Sequence, residues 1–516
     1  MTPFAAPIDE ILLSLQFVAN AEVCEDWDGD LARELAEHFA SFAEGEIAAT
    51  NGDGDQIGAQ FIDGHVQMPP SFKPVFAAYC EQGWPGLTVP DTYGGQGLGA
   101  IYLAIVSEIF SGANQSLQMV TGLVPGAVRT LLQYGSDAQR DHWLPKLASG
   151  EALSTMCLTE PGAGSDLSRI RSKAVPNGDS WLISGEKIFI SGGDQDLSNE
   201  IFHLVLARTS DDGIKGLSLF ACGSHRANGS RNAVNVARIE EKMGLHGSPT
   251  CQMVFEDAEA TLVGEPGQGL MAMFTMMNHA RIDVSLQGVA HATRAHDIAR
   301  KYTAERVQGR GADGAATTLD QHPDVQRMLL ESKALAMGSR FMTHCTLVAL
   351  ETGCDAALTD YLTALIKVFS TEAGMKAAEL GTQMLGGYGY LREYMVEQHY
   401  RDVRIAAIYE GANGIHAFSN ATRGLKMGGD QAFADYVLTL GGKPMANRVE
   451  DYRQAAERVR VAPASSAHDF MQLSAWLFAL ACFEKYSRSA PSPDSALLEH
   501  VRKRVPARIR YHLELI

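Results

Sequence analysis

The hydrophobic pattern of this chain changes its period twice, and these changes limit the folds that the chain can adopt. Up to about residue 152, apolar residues recur at spacings of three and four, as in residues 31–40, which indicates helices. From residue 153 the spacing falls to two, in short segments between turns, which predicts β-strands. After Gly269 the helical spacing returns in long pieces. We therefore predict an α+β multidomain chain in which a β region lies between helical regions.

Four domains follow from this pattern. We predict an N-terminal helical domain over residues 1–152, a barrel-like β domain over 153–270, a four-helix bundle over 271–427 and a helical C-terminal extension over 428–516. The last bundle helix is expected to begin near Tyr409. The predicted strands are 152–159, 181–185, 187–191, 201–208, 216–220 and 253–255.

Composition narrows the classes of function. The 516 residues carry a formal net charge of -18, which argues against a nucleic-acid partner or an anionic membrane surface. No apolar run is long enough to span a bilayer and the first residues do not resemble a signal peptide, so we expect a cytoplasmic protein without an integral membrane segment. The 8 cysteines are scattered and the histidines are not clustered, so we expect reduced thiols and no metal site.

Glu410 is the first candidate for chemistry. It stands between Tyr409 and Gly411, shortly after the charged residues 401–404. A glutamate held against apolar walls has a raised pKa, which makes it a usable base near neutral pH. The alternative is a solvated glutamate at a helix end, beside a glycine C-cap.

A second candidate is the glycine-rich run at residues 158–166, LTEPGAGSD. Its small residues allow the backbone to approach a ligand closely, and Thr159 and Ser165 offer hydroxyl groups suited to polar flavin edges or phosphate oxygens. The alternative is a purely structural turn, because turn glycines usually serve positive φ angles.

Together with three further segments, this run resembles the flavin-dependent acyl-CoA dehydrogenase family in identity, order and spacing. The resemblance covers roughly residues 35–425, and it is strongest to the longer bacterial type with a helical C-terminal extension, the 3-methylmercaptopropionyl-CoA dehydrogenase-like branch. The further segments are GEKIFISGG (185–193), EEKMGLHGSPTCQMVFEDAEATLVGEPGQGL (240–270) and QMLGGYGYLREYMVEQHYRDVRIAAIYEGANGIHA (383–417). The fold that this family implies agrees with the domains predicted from periodicity.

The resemblance implies a reaction. Glu410 falls on the family's catalytic base, which removes the α-proton of an acyl-CoA thioester while the β-hydrogen leaves as hydride to flavin N5, giving a trans-2-enoyl-CoA. The implied cofactor is FAD, the implied electron acceptor is an electron-transferring flavoprotein, and the implied setting is fatty acid metabolism. Ser165, Arg281 and Gly411 match substrate-binding positions, although Arg281 could instead form a salt bridge within the bundle.

The resemblance also implies the FAD contacts. Leu158, Thr159, Phe189 and Ser191 match positions at the flavin ring, where the family usually has Trp in place of Phe189 and Thr in place of Ser191. The alternatives are strand-core packing for Leu158 and Phe189, and strand-edge hydroxyls for the other two. Positions reaching FAD across a subunit interface are matched by Arg306, Gln308, Gln383, Gly386 and Gly387. FAD binding would then require at least a homodimer, or a homotetramer, whereas a merely solvated Arg306 is the alternative.

Three other functions remain open at this point. The first is a dehydrogenase acting specifically on 3-methylmercaptopropionyl-CoA. The second is an acyl-CoA oxidase that delivers electrons to O₂, and the third is a non-catalytic scaffold relative.

Overall fold

The computed structural model describes residues 2–516, which are mostly helical. Among these residues, no helix combines the length and the apolar character needed to cross a membrane. The α-helices are α1 (Ile8–Leu13), α2 (Gly29–Phe42), α3 (Asn51–Gln56), α4 (Phe72–Glu81), α5 (Ala100–Thr121), α6 (Val124–Tyr134), α7 (Asp137–Ser149), α8 (Gly269–Glu305), α9 (Pro323–Glu351), α10 (Ala356–Leu385), α11 (Val396–Val403), α12 (Asn413–Ser419), α13 (Gly429–Gly441), α14 (Ala446–Val461), α15 (Pro463–Ser489) and α16 (Ser495–Leu515).

The strands form one large sheet and two small hairpin sheets. They are β1 (Gln60–Ile62), β2 (His65–Gln67), β3 (Ala152–Cys157), β4 (Lys173–Asn177), β5 (Ser180–Ser191), β6 (Glu200–Arg208), β7 (Leu217–Gly223), β8 (Val234–Ile239), β9 (Thr250–Val263), β10 (Val307–Arg310) and β11 (Ala316–Thr318). The large sheet has seven strands in the order β3-β6-β4-β5-β9-β7, with β8 paired to β9 and a further pairing between β6 and β7. The predicted helical N-terminal part and β-sheet middle part are confirmed.

The structure differs from the predicted strands in two ways. The segments 181–185 and 187–191 are parts of one strand, β5, which is interrupted by register shifts against β9. The predicted segment 253–255 is likewise only a part of β9. Strands β4 and β8 of the large sheet were not predicted, and neither were the hairpin strands β1, β2, β10 and β11. Most of β4 is exposed and it contains Pro176, so it is held in the sheet by backbone pairing and lacks the apolar alternation that the prediction requires.

The chain forms two compact units. One contains the large sheet and consists of Gly45–Gly99 and Asn114–Ala280. The other contains the chain up to Glu44 together with Ala100–Ala113 and Arg281–Ile516.

Within the helical unit, α8 and α10 approach each other closely. A Cβ added to Gly288 on α8 would lie 2.3 Å from the carbonyl oxygen of Ser370, and one added to Gly374 on α10 would lie 2.9 Å from the carbonyl oxygen of Gly288. Because neither position can hold a larger residue without moving backbone, glycine at both allows the two helices to pack at short distance. Val403, which precedes the candidate base in the sequence, also packs at this crossing, since a Cβ on Gly374 would lie 2.8 Å from its Cγ2.

The C-terminal helices belong to the same unit and pack on α10. The ring of Trp476 on α15 meets the ring of Phe369 edge to face, with centroids 5.0 Å apart. The hydroxyl groups of Tyr361 on α10 and Ser474 on α15 form a buried hydrogen bond of 2.9 Å. The C-terminal extension therefore packs on α10, the helix next to the Glu410 turn.

Candidate active site

Glu410 and Gly411 form a strained turn that precedes α12. Their φ angles are 53° and 94°, in the left-handed region that residues other than glycine rarely adopt. A Cβ on Gly411 would lie 2.6 Å from Nε2 of His416, so the position requires glycine. Helix α12 begins at Asn413, later than the predicted start near Tyr409, because a helix cannot include these two φ angles.

His416 holds this turn from the first turn of α12. Its Nε2 lies 2.9 Å from the carbonyl oxygen of Glu410 and must donate, because a carbonyl only accepts. Burial, together with the nearby Arg281 and Lys367, lowers the pKa of His416 to about 3. The histidine is therefore neutral near pH 7 and adds no charge beside the carboxylate.

The Glu410 carboxylate is only partly satisfied. Although the residue as a whole keeps some exposure, its Oε2 is buried and has no hydrogen-bond partner among residues 2–516. Burial raises the pKa of Glu410 to about 7; Arg281 and Lys367 oppose this shift, whereas Asp283 reinforces it. Such a carboxylate exchanges a proton readily near neutral pH.

Two cations lie near Glu410. Burial lowers the pKa of Arg281, and Glu410 is the first of the charges that act on this guanidinium. Lys367 on α10 is fully buried, and its ammonium group donates to the carbonyl oxygen of Gly411 at 2.7 Å and to Oδ1 of Asn413 at 3.0 Å. Burial lowers the pKa of Lys367 to about 7, against the attraction of Glu410.

Glu410, Gly411 and Arg281, which were predicted from the sequence, lie near one another, and Lys367, which was not predicted, lies beside them. A signal was present, because Lys367 stands alone in the apolar helical run ALIKVF at residues 364–369. A lone lysine in a buried stretch requires a specific partner.

Tyr409 fixes the chain just before the base. Its hydroxyl donates to Oε1 of Gln287, and the side chain amide of Gln287 donates to Oδ2 of Asp283 at 3.0 Å. The Tyr409 ring packs against a buried cluster that includes Val284 and Val403. These contacts anchor Tyr409, the residue that immediately precedes Glu410.

In the sheet unit, the predicted flavin-ring residues lie on two neighbouring segments. The backbone N–H of Ile188 donates to the carbonyl oxygen of Thr159 at 2.9 Å, which places Thr159 alongside β5. Phe189 has a φ of 58° within the second register shift of β5 and is 62% exposed, although it is a large apolar residue. Leu158 is buried, whereas Ser191 is partly exposed and paired with Thr250. An exposed aromatic face beside polar backbone suits a planar ring system.

A buried ion pair that the sequence analysis missed holds these two segments together. Lys187 is fully buried and donates to Oε1 of Glu160 at 2.8 Å and to the carbonyl oxygen of Leu158 at 3.1 Å. Glu160 also accepts the backbone N–H groups of Arg171 and Ser172 at 2.6 and 3.0 Å. Although burial opposes ionisation, Lys187 and these donors hold the pKa of Glu160 below its usual value.

Ser165 lies exposed in the bend that follows a turn at residues 160–163. The backbone groups of Glu160 and Ala163 close this turn by hydrogen bonding to each other at 3.0 Å in both directions. Ser165 follows this turn at the surface, where a ligand can reach its hydroxyl group.

The structure brings the remaining predicted FAD contacts to one end of α8 and α10. The Arg306 guanidinium stacks over the ring of Tyr388 at 5.6 Å, next to Gly386 and Gly387. Both glycines are exposed, and a Cβ added to either would meet no atom within 4 Å. Gln383 is exposed on the last turn of α10, and Gln308 is exposed with its carbonyl oxygen accepting from His322 at 2.7 Å. The open space over the glycines and the exposed cation fit a phosphate-bearing cofactor.

Sequence comparison matches the whole central part of the chain. Three family models match in order: the acyl-CoA dehydrogenase N-terminal domain over residues 30–151, the middle domain over 155–258 and the C-terminal domain over 267–424. The chain is 39% identical to 3-methylmercaptopropionyl-CoA dehydrogenase of Ruegeria pomeroyi, over 85% of this chain and 80% of the relative. It is 35% identical to the broad-specificity linear acyl-CoA dehydrogenase FadE5 of Mycobacterium tuberculosis, over 76% and 69% of the two chains.

Structural comparison agrees on the fold. The solved acyl-CoA dehydrogenase from Bacillus anthracis, described as complexed with FAD, superposes with a TM-score of 0.77 at 22% identity, over 95% of this chain and 88% of that one. That similarity extends beyond the residues matched by the family models and takes in most of the C-terminal helices. Since the three domain models match in order and a relative is 39% identical over most of its length, the chain belongs to the acyl-CoA dehydrogenase family of FAD-dependent oxidoreductases.

Proposed function

We propose that this chain desaturates an acyl-CoA thioester between Cα and Cβ, with Glu410 as the base that removes the α-proton. The observation that carries this proposal is the buried, unpartnered Oε2 of Glu410, whose pKa is raised to about 7. A carboxylate whose oxygen is not engaged by a donor is free to take a proton from a substrate. FAD, when bound, accepts the hydride that leaves the β-carbon.

The residues around Glu410 balance its charge. Burial alone would keep Glu410 protonated and unable to act as a base near pH 7. Arg281 and Lys367 lower its pKa enough for a substantial ionised fraction at neutral pH. We assign Arg281 and Gly411, together with Ser165, to binding of the substrate, since a guanidinium suits the phosphates of CoA.

The FAD contacts divide between two surfaces. We assign Leu158, Thr159, Phe189 and Ser191 to the flavin ring, on the support of the exposed Phe189 ring and the neighbouring hydroxyl groups. The pyrophosphate and adenosine parts we assign to the exposed group at the ends of α8 and α10, supported by its cation and its open glycine surface. This group is Arg306, Gln308, Gln383, Gly386 and Gly387.

The second group is proposed to act across a subunit interface. Tyr388, Tyr390 and Leu391 follow it directly and are 40%, 85% and 45% exposed. Adjacent exposed apolar side chains of this size are typical of an interaction surface. We therefore propose a homodimer, or a homotetramer built from such dimers.

We propose domain limits at 152, 270 and 427, with α8, α9, α10 and the helical segment after Glu410 as a four-helix bundle. The pairing of β7 with both β6 and β9 supports a barrel-like β domain.

We propose an electron-transferring flavoprotein as the electron acceptor and an acyl-CoA as the substrate. The two relatives act, by their names, on 3-methylmercaptopropionyl-CoA and on linear acyl-CoAs, so both kinds belong in a substrate test.

The test is anaerobic flavin bleaching with a panel of linear, branched and sulfur-containing acyl-CoAs. We expect rapid bleaching by at least one of them and reoxidation by an electron-transferring flavoprotein. Stoichiometric peroxide release during aerobic turnover would instead show an oxidase. A protein that binds FAD but is bleached by none of the thioesters would contradict the proposed reaction.

A further inference from the structure

A continuous path of hydrogen bonds connects the C-terminal extension with the turn that carries Glu410. Gln472 on α15 donates from Nε2 to Oε2 of Glu372 on α10 at 2.7 Å. Asn413, at the start of α12, donates from Nδ2 to Oε1 of the same carboxylate at 3.1 Å. Lys367 donates to Oδ1 of Asn413 at 3.0 Å and to the carbonyl oxygen of Gly411 at 2.7 Å. One carboxylate therefore binds α15 with one oxygen and Asn413, at the start of α12, with the other.

The members of this path are held in place by packing. Lys367 is fully buried and Gln472 is 9% exposed, so their polar groups depend on partners within the protein. Asn413 is further oriented by a second donation, to Oγ1 of Thr371 at 3.2 Å. The edge-to-face contact of Trp476 with Phe369 fixes α15 on α10 about one helical turn after Gln472.

The strained turn needs such support. A non-glycine residue at a φ of 53° persists only where its surroundings hold it there. The Lys367 ammonium restrains the carbonyl oxygen of Gly411, which immediately follows Glu410, and His416 restrains the carbonyl oxygen of Glu410 itself. His416 acts from within α12, whereas Lys367 acts from α10 and is oriented through Asn413 and Glu372.

We propose that the C-terminal extension positions the base: Gln472 on α15 acts through Glu372, Asn413 and Lys367 to hold the Glu410–Gly411 turn. These four act as positioning residues. The inference rests on the proposed role of Glu410 as the base. It gives the helices after residue 428 a part in the reaction beyond their contribution to stability.

The first test compares Gln472→Met with Ser474→Ala. The first change removes the donor to Glu372 at similar side-chain volume, and the second removes a buried hydrogen bond between the same two helices that lies outside the path. For Gln472→Met we expect kcat, measured by flavin bleaching at saturating acyl-CoA, to fall about tenfold with little change in KM, since displacement of a catalytic group by a fraction of an ångström lowers rate more than binding. Ser474→Ala should keep kcat within about twofold.

A second measurement does not depend on turnover. Backbone amide hydrogen exchange of residues 408–414 should be faster in Gln472→Met than in the wild type, and unchanged in Ser474→Ala. Gln472→Lys, which retains a donor to Glu372, should restore both slow exchange and kcat. If Gln472→Met leaves both kcat and exchange at the wild-type level, the extension does not position the turn.

A third variant separates this inference from the proposed function. Glu410→Gln should lower turnover about 10²–10⁴-fold if Glu410 is the base, whatever the role of the extension. Retained turnover in Glu410→Gln would remove the proposed function. Loss of turnover in Glu410→Gln together with wild-type behaviour of Gln472→Met would remove only the positioning role. Should Gln472→Met unfold, Asn413→Ala, which breaks the path at the turn itself, is expected to give the same loss of kcat and the same faster exchange.

Discussion

Two glutamates in this protein lie beside a buried lysine, yet their carboxylates are held in opposite ways. In the sheet unit, Glu160 accepts hydrogen bonds from Lys187 and from two backbone N–H groups, and its pKa lies below the usual value. In the helical unit, Oε2 of Glu410 has no partner among residues 2–516, and the pKa of Glu410 is raised to about 7.

The difference lies in where each lysine donates. Lys187 donates directly to the Glu160 carboxylate, so that charge is neutralised and fixed. Lys367 donates to the carbonyl oxygen of Gly411 and to Asn413, and therefore acts on Glu410 only through the electrostatic attraction between the two charges. A buried carboxylate that is fully hydrogen-bonded serves the structure, whereas one left short of donors is suited to proton transfer.

The sharpest test of this contrast is Glu410→Gln. The amide is nearly isosteric but cannot take the α-proton, so we expect the rate of flavin bleaching by acyl-CoA to fall about 10²–10⁴-fold, the usual contribution of a general base. FAD absorbance and binding of the CoA thioester should persist. Glu379→Gln, at an exposed position on the same helix as Lys367, is the matched control and should keep the wild-type rate. Comparable rates in the two variants would refute the assignment of the base.

The opposite test is Lys187→Met in the sheet unit. It leaves the Glu160 charge buried without its cation, so we expect the free energy of unfolding in urea to fall by about 3–5 kcal/mol. Lys376→Met, which breaks the exposed ion pair with Glu379, should cost at most about 1 kcal/mol. Equal losses in the two variants would show that Lys187 is not needed to balance Glu160.

The pH dependence provides a third test. A base with a pKa of about 7 is protonated below that pH, so kcat should fall as the pH is lowered through about 7. Arg281 lowers the pKa of Glu410, hence Arg281→Gln should move this acid limb to higher pH. Glu410 has its raised pKa only in the folded protein. At pH values between its pKa in the unfolded chain and this raised pKa, the folded protein keeps a proton that the unfolded protein releases. Stability should therefore decrease as the pH rises through that interval and level off above about 7. An acid limb that does not move in Arg281→Gln would contradict the electrostatic role of Arg281.

The smallest expected effect concerns the exposed ring of Phe189. Removing an aromatic stacking partner costs about 1 kcal/mol, so Phe189→Ala should weaken FAD binding roughly fivefold to tenfold, as measured by titration of the apoprotein with FAD. Phe189→Trp should retain the affinity. Val175→Ala, which removes another exposed apolar side chain from the same sheet, is the control. Unchanged affinity in Phe189→Ala would place the flavin ring elsewhere.

Much of this architecture was visible in the sequence. The change of period near residues 153 and 269 located the sheet, and the four segments that resemble the family located Glu410, Phe189 and the glycines at 386 and 387. Strand β4 was not predicted because backbone pairing holds it in the sheet and its side chains are mostly exposed. The start of α12 was predicted too early because a positive φ at a glutamate has no sequence signature.

The two lysines show where reading the sequence reaches its limit. Lys367 stands within an apolar run and Lys187 directly precedes one, which indicates burial but not the identity of the partner. Lys187 is separated from Glu160 by a turn and a strand, and Lys367 is distant in the sequence from Gly411. Their partners follow from packing, which local patterns do not encode.

The sequence by itself determined the order of helical and β regions, the family, the FAD requirement and the identity of the candidate base. The tertiary structure decided the protonation behaviour of that base, because a pKa depends on burial and on charges brought from distant segments such as Arg281 and Lys367. It also decided the connection between Gln472 and the Glu410 turn, since the hydrogen bonds through Glu372 and Asn413 exist only when α10, α12 and α15 pack together.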